Sequence, residues 1–193
     1  MAKIAIYGGT FNPIHFGHIQ VLSWTLANTD IEQLWLMVTP FNPIKTPTPK
    51  QTYYQRIENI KKELLQQNNI SFSDCQLWLD ISNTIKKAIV VSDFENFLPQ
   101  PNYTINTLEN LSKTYPNDTF VLLIGQDSWN HFNKWKRWQD ILQTWSIYVY
   151  PRHDPTSKVN NGIPEHPNVI FLHHAPYADI SSTQIRNRIN TPL

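Results

Sequence analysis

The stretch from Lys3 to Val38 constrains the fold most. Lys3–Tyr7 (KIAIY) is apolar, β-prone and stopped by Gly8-Gly9, which reads as a short buried strand. From His15 to Asn28 apolar residues return at helical spacing, at Phe16, Ile19, Val21, Leu22 and Leu26. Leu34–Val38 is a second buried strand. Strand, helix, strand in so short a span is a βαβ unit. Its strands lie parallel and its crossover is right-handed.

The alternation continues down the chain. Gln51–Gln67 predicts a helix with a charged outer face, and Ile89–Val91 a third strand. Thr104–Tyr115 predicts a helix, and Thr119–Ile124 (TFVLLI) a fourth strand stopped by Gly125. Ser146–Tyr150 and Val169–Leu172 are two further strands, and Ser182–Ile189 is a closing helix that Ser181 or Ser182 can cap. Phe41–Lys50 is a proline-rich loop, whereas Ser71–Lys87 fits the pattern poorly, as an extra helix or an irregular insertion. The expected architecture is α/β: a Rossmann-like, doubly wound parallel sheet with helices on both faces, in a single domain over residues 1–193.

Composition narrows the function classes. Sixteen Lys and Arg against fifteen Asp and Glu give a net charge of +1, which argues against a general nucleic-acid binder. A polyanionic small ligand needs only a local positive cluster. The single cysteine, Cys75, excludes an internal disulfide or a cysteine-built metal site and fits a reducing cytoplasm, the expected location. The apolar run before Gly8 is too short for a secretory signal. No run of about 18 apolar residues exists, so no membrane helix is expected. Seven Trp and eight Tyr exceed what a core needs, so some should face ligands.

The run GGTFNPIHFGH carries the first chemistry. Gly8-Gly9 lets the backbone approach a ligand, and the following helix aims its N-terminal N–H groups at the same space, an anion site. His15 and His18, three apart, can face one way and donate to phosphate oxygens. They lack a third ligand at zinc spacing. The run resembles the first signature of the nucleotidyltransferase superfamily, with Asn12 where many relatives carry Asp. The resemblance implies that His15 and His18 contact ATP phosphates and that Gly8, Gly9, Thr10 and Phe11 line the ATP site.

A second run, ISSTQIR (Ile180–Arg186), reads as a strand end, a hydroxyl-rich helix cap, and an Arg one turn on. Backbone N–H groups of Ser181, Ser182 and Thr183 can cradle phosphate beside the Arg186 fork, and the run resembles the superfamily's second signature, which implies that Ile180, Ser181 and Ser182 line the ATP site. Chain continues only to Leu193, whereas relatives add one or two helices. That bears on the adenine pocket and on oligomer contacts, and a homo-oligomer stays open.

Gly125–Leu142 (GQDSWNHFNKWKRWQDIL) resembles the corresponding run of bacterial nicotinate-nucleotide adenylyltransferases. The resemblance places Asp127 near the acceptor nucleotide and stacks Trp135 on the nicotinate ring. NYTINTL (Asn102–Leu108) resembles that family's S-Y-T-x-x-T-L, which implies that Thr104 and backbone N–H groups near Lys136 hold the nicotinate carboxylate. Core packing is the competing reading for Trp129, Trp135, Trp138 and Trp145. It suits Trp138 and Trp145, whereas Trp135 between Lys134 and Lys136 suggests an exposed turn. Pro43-Ile44-Lys45 sits where the family has P-H-K, which implies that Lys45 reaches the phosphates. Arg152 either contacts the acceptor or covers a strand end.

The reaction this implies is ATP plus nicotinate mononucleotide giving deamido-NAD and pyrophosphate, with catalytic roles for His15, His18, Lys45 and Arg186. Mg²⁺ would arrive on the ATP phosphates, with no dedicated protein metal site. The alternatives are another acceptor on the same fold (nicotinamide mononucleotide or phosphopantetheine), or a sensor that binds NAD-related nucleotides without turnover.

Overall fold

The computed structural model describes residues 1–40, 52–66, 88–151 and 162–176. Six strands form one sheet: β1 (Lys3–Gly9), β2 (Gln33–Val38), β3 (Ile89–Ser92), β4 (Thr119–Gly125), β5 (Ser146–Tyr150) and β6 (Val169–Phe171). Their spatial order is β3-β2-β1-β4-β5-β6 and every pairing is parallel. This is the doubly wound order expected from the βαβ opening.

The strands read as continuous apolar runs because both faces are covered. Side chains alternate between two cores. Ala5, Tyr7, Val121, Leu123, Tyr148 and Tyr150 pack on one side. There they meet Val21 and Leu22 of α1 (Phe16–Asn28) and Ile57 and Ile60 of α2 (Tyr53–Gln66). Ile4, Ile6, Phe120, Leu122, Ile124, Ile147 and Val149 pack on the other. Their partners are Ile105, Leu108 and Leu111 of α3 (Thr104–Thr114), Trp129 of α4 (Gln126–Trp129), and Ile141 and Leu142 of α5 (Trp138–Thr144).

Local chemistry sets the helix starts. Helix α2 begins at Tyr53 rather than Gln51 because Thr52 and Gln55 cap it reciprocally. The Gln55 N–H donates to Thr52 Oγ1 at 3.3 Å, and the Thr52 N–H donates to Gln55 Oε1 at 2.8 Å. Tyr115 falls outside α3 as its C-cap, its N–H donating to the Leu111 carbonyl. The proline-rich loop, the Ser71–Lys87 segment and the closing helix over 182–189 lie outside the described residues. Among the described residues no helix is long and apolar enough to cross a membrane.

The order places a topological switch between β1 and β4, whose connections leave toward opposite sheet edges. In such sheets ligands bind in the crevice at the carboxyl ends of the strands, at that switch. Here β1 ends in Gly8-Gly9 and β4 in Gly125, just past their last pair, Tyr7 with Leu123.

Candidate active site

The loop from β1 into α1 is tightly packed. Phe11 sits at φ 44°, in the left-handed region, and its ring is 4% exposed. A Cβ on Gly9 would stand 2.9 Å from Phe11 Cζ, so this glycine is required by the Phe11 ring lying over it. At Gly8 the same construction meets nothing within 4 Å. The two glycines therefore differ: Gly9 makes room for the loop, and Gly8 leaves open space beside the crevice.

Phe11 in turn supports the histidines. Its ring stands edge-on to His18 at 5.1 Å, with Tyr7 a further 5.7 Å from Phe11. His15 is the N-cap of α1 and His18 lies one turn on. Their ring centroids are 3.7 Å apart and both residues are 8% exposed. The His15 backbone N–H donates to His18 Nδ1 at 3.2 Å. An Nδ1 that accepts carries no proton, so the neutral ring holds its proton on Nε2 as a donor. The expected pair is thus assembled at a helix N-terminus beside Gly8-Gly9, where partial positive charge favours anions.

Across the switch, the start of α3 faces the Trp135–Lys136 turn. Thr104 opens α3, preceded by Tyr103 in extended conformation. Lys136 Nζ lies 4.5 Å from the Tyr103 ring centroid, a cation–π contact that docks the Trp135–Lys136 turn at the start of α3. Arg137, at φ 53°, reinforces this, bonding Glu109 of α3 at 3.0 Å and Asp140 of α5 at 2.6 Å. Asp127 is exposed in the first turn of α4, directly after β4.

The tryptophans differ from expectation. Trp135 is half-buried rather than standing on an exposed turn: one side packs against Phe132, centroids 5.3 Å apart. Trp138 and Trp145 are also half-buried, at the margin of the second core rather than inside it. Trp145 keeps its indole N–H near Ser112 Oγ at 3.3 Å, as a partly buried indole requires. Trp129, 3% exposed, is the core tryptophan.

Lys45, Arg152, Ile180, Ser181, Ser182 and Arg186 lie outside the described residues. Among the described residues no group of three or more His, Cys, Asp or Glu could hold a metal ion.

Two buried charged residues escape a reading by motif. Arg56 of α2 is 5% exposed. Its Nη1 donates to the Thr10 carbonyl at 2.7 Å and the Thr39 carbonyl at 3.0 Å, and its Nη2 to the Pro40 carbonyl at 3.1 Å. Burial lowers its pKa, and the neighbouring Tyr53 pushes it back up. The available signal was an arginine on the inward stripe of α2 formed by Tyr53, Ile57, Ile60 and Leu64. Glu95, in the turn after β3, is 8% exposed and its carboxyl is raised by burial, opposed by hydrogen bonds from Thr107 and Thr39. Its signal was the second Thr of T-x-x-T, a hydroxyl at an inward helical position.

Comparison with known proteins gives the family of this chain. The cytidylyltransferase-like family model matches residues 6–188, and the chain belongs to that family. Within it, the chain is 38% identical over 187 residues to a Flavobacterium psychrophilum protein named "Probable nicotinate-nucleotide adenylyltransferase", covering 97% of this chain and 86% of the relative. A Bacteroides thetaiotaomicron protein of the same name is 34% identical over 189 residues, covering 97% and 82%. The chain is a member of the nicotinate-nucleotide adenylyltransferase family. Its fold is also that of Plasmodium falciparum nicotinic acid mononucleotide adenylyltransferase complexed with NaAD, at a TM-score of 0.73 and 19% identity, covering 97% of this chain and 83% of that one.

Proposed function

We propose that the chain transfers AMP from ATP to nicotinate mononucleotide, releasing pyrophosphate and forming deamido-NAD. The observation that carries this reading is the close-packed His15–His18 pair at the start of α1, its ring centroids 3.7 Å apart, beside the open face of Gly8 at the switch point. Across the switch Lys136 packs on the Tyr103 ring, next to Thr104 at the start of α3 and to Trp135 in its own turn, and this group supports an acceptor side. The family membership supports the acceptor.

The chemistry asks little of proton transfer. The phosphate of the acceptor is already a nucleophile at neutral pH. One of its oxygens forms a bond to the α-phosphorus of ATP as the bond from that phosphorus to the bridging oxygen breaks, and pyrophosphate leaves with the electron pair. Catalysis is then positioning and charge stabilisation. His15 and His18 stabilise the α-phosphoryl group and the leaving pyrophosphate, with His18 donating from Nε2. Lys45 and Arg186 contribute cations, and Ile180, Ser181 and Ser182 backbone contacts. Asp127 is assigned to the acceptor, and Arg152 either contacts the acceptor or covers a strand end. Imidazole N–H groups and helix amides suit phosphate oxygens, and Mg²⁺ would come in on the ATP phosphates, where it would neutralise charge.

The test is pyrophosphate release from ATP and Mg²⁺ with nicotinate mononucleotide, nicotinamide mononucleotide or phosphopantetheine as separate acceptors. Release is expected to be fastest with the first. His18→Ala should lower kcat by about 10²–10³, as loss of one transition-state donor does, with the fold intact. No release with any acceptor, or a near-normal kcat in His18→Ala, would overturn the reading.

A further inference from the structure

A buried polar chain runs beneath the carboxyl ends of β1, β2 and β3 and ends in α3. Arg56 ties the Thr10 carbonyl, on the nucleotide-side loop, to the carbonyls of Thr39 and Pro40 after β2. The Thr39 hydroxyl hydrogen-bonds the Glu95 carboxyl after β3. On its other side Glu95 Oε1 accepts from the Thr107 hydroxyl at 2.8 Å, and Thr107 Oγ1 accepts from Asn102 Nδ2 at 2.7 Å. Thr107 is 1% exposed and Asn102 6%. Thr104 and Thr107 are neighbours on α3, three residues apart. The inner Thr holds Glu95 while the outer one opens the helix on the acceptor side.

Glu95 is costly where it stands. A buried carboxylate pays desolvation that an apolar residue of similar volume would not. The hydrophobic cores on either side of the sheet do not need it. Together with Arg56 it fixes four chain segments that have no covalent reason to keep register: the loops after β1, β2 and β3, and the first turn of α3. In the proposed reaction two of these serve the nucleotide and one the acceptor.

We propose that Glu95 is a positioning residue for adenylyl transfer. Acting through Thr39 and Arg56 on one side and Thr107 on the other, it sets the acceptor-side helix against the nucleotide-side loops. This rests on the proposed reaction. On that reading the nucleotide and the acceptor are held by different segments, so loss of Glu95 leaves each set of contacts in place but lets the two shift against each other. In-line attack is sensitive to that shift, since a misplacement of about 1 Å costs about 10² in rate.

The experiment compares Glu95→Ala, Glu95→Gln, Thr107→Val and Thr39→Val with the parent, by steady-state kinetics and by backbone amide exchange without substrate. Leu34→Ala, in the core at the far end of β2, controls for general destabilisation. Glu95→Ala and Thr107→Val should lower kcat about 10–100-fold, with the KM for each substrate within about twofold. Glu95→Gln keeps an acceptor for Thr107 and should recover most of the rate. Exchange in Glu95→Ala should rise at residues 8–12 and 38–40, distant in sequence from the change. Should Glu95→Ala fail to fold, Thr107→Val and Thr39→Val carry the test. The proposal is overturned if these folded variants keep kcat within twofold, or if Leu34→Ala of equal stability loses as much. It is also overturned if exchange at 8–12 and 38–40 is unchanged. A parent inactive with every acceptor sinks the reaction instead, while exchange still judges the bonded chain.

Discussion

Replacing Gly9 with Ala probes the most closely packed point of the site. The new Cβ would stand 2.9 Å from Phe11 Cζ, 3.1 Å from Cε1 and 3.2 Å from Cε2. Carbon atoms rest at about 3.5–4.0 Å, so the ring must retreat by roughly 0.6–1 Å. It has little room, being 4% exposed, held at φ 44°, and wedged against Tyr7 and His18. Overpacking of this kind costs about 1–3 kcal/mol. For a chain of this size each kcal/mol moves Tm by about 2–4 °C, so a fall of roughly 2–12 °C is expected by calorimetry. The ring's retreat pushes on His18, and displacement of a phosphate donor by a fraction of an ångström to 1 Å should lower kcat by about 10–100-fold. Gly8→Ala is the contrast. Its Cβ meets nothing within 4 Å, so stability should hold within about 0.5 kcal/mol while the KM for ATP rises. A second contrast is Gly9→Ala in a Phe11→Leu background, where the clashing Cζ and Cε atoms are gone and the penalty should shrink. If Gly9→Ala keeps its Tm within about 1 °C and its kcat within twofold, the packing argument fails.

Other consequences can be measured on single variants. Arg56→Lys exchanges a fork bonding three carbonyls for one ammonium. A buried carbonyl left unpaired costs about 1–3 kcal/mol, read by urea unfolding, and an unchanged midpoint would refute the clamp. Burial raises the Glu95 carboxyl above its ordinary value of 4.5. Between 4.5 and the raised value the native state therefore binds more protons than the unfolded chain, so stability falls as pH rises through that window. Glu95→Gln removes this slope, so its stability relative to the parent should climb with pH across the window and level off above it. A difference that is flat in pH would exclude the assignment. Trp135→Leu keeps apolar packing on Phe132 but loses the ring face. It should raise the KM for nicotinate mononucleotide about tenfold, since stacking on an aromatic is worth about 1–3 kcal/mol, with ATP unaffected; equal changes for both substrates would deny Trp135 the acceptor role.

Much of this architecture is legible in the sequence because it follows from period and punctuation. After their polar first residues, Lys3 and Thr119, KIAIY and TFVLLI are apolar throughout, a pattern suited to strands covered on both faces, and each stops at glycine where the crevice opens. His15 and His18 could be placed together because three residues on a helix start fix their relation without tertiary information. The run from Gln126 to Thr144 resisted the same treatment. It breaks into α4, a 3-10 turn at Phe132–Lys134, and α5, with Arg137 at φ 53° between them. That path is set by which aromatic packs on Phe132, a tertiary fact with no period. Trp135 looked exposed because its sequence neighbours are lysines, yet neighbours in sequence say little about a residue at a turn between two short helices.

Arg56 and Glu95 were hidden for a different reason. Complementary pairs are found by looking for an acid to match a base, but Arg56 is matched by three main-chain carbonyls and Glu95 by two threonine hydroxyls. Carbonyls belong to every residue and leave no mark in the sequence. The mark is on the charged residue alone: Arg56 occupies the stripe of Tyr53, Ile57, Ile60 and Leu64, where an apolar side chain is the default. A charge at such a position must be satisfied or it would unfold the helix from the sheet. Because the elements around it are strands whose amides and carbonyls are already paired in the sheet, the acceptors left are at the strand ends. An inward charge near the start of a helix in this class of fold therefore points to the loops at the carboxyl edge. That edge is also where the proposed reaction puts its substrates, so on that reading the residue that satisfies the carbonyls of those loops also sets their geometry for catalysis.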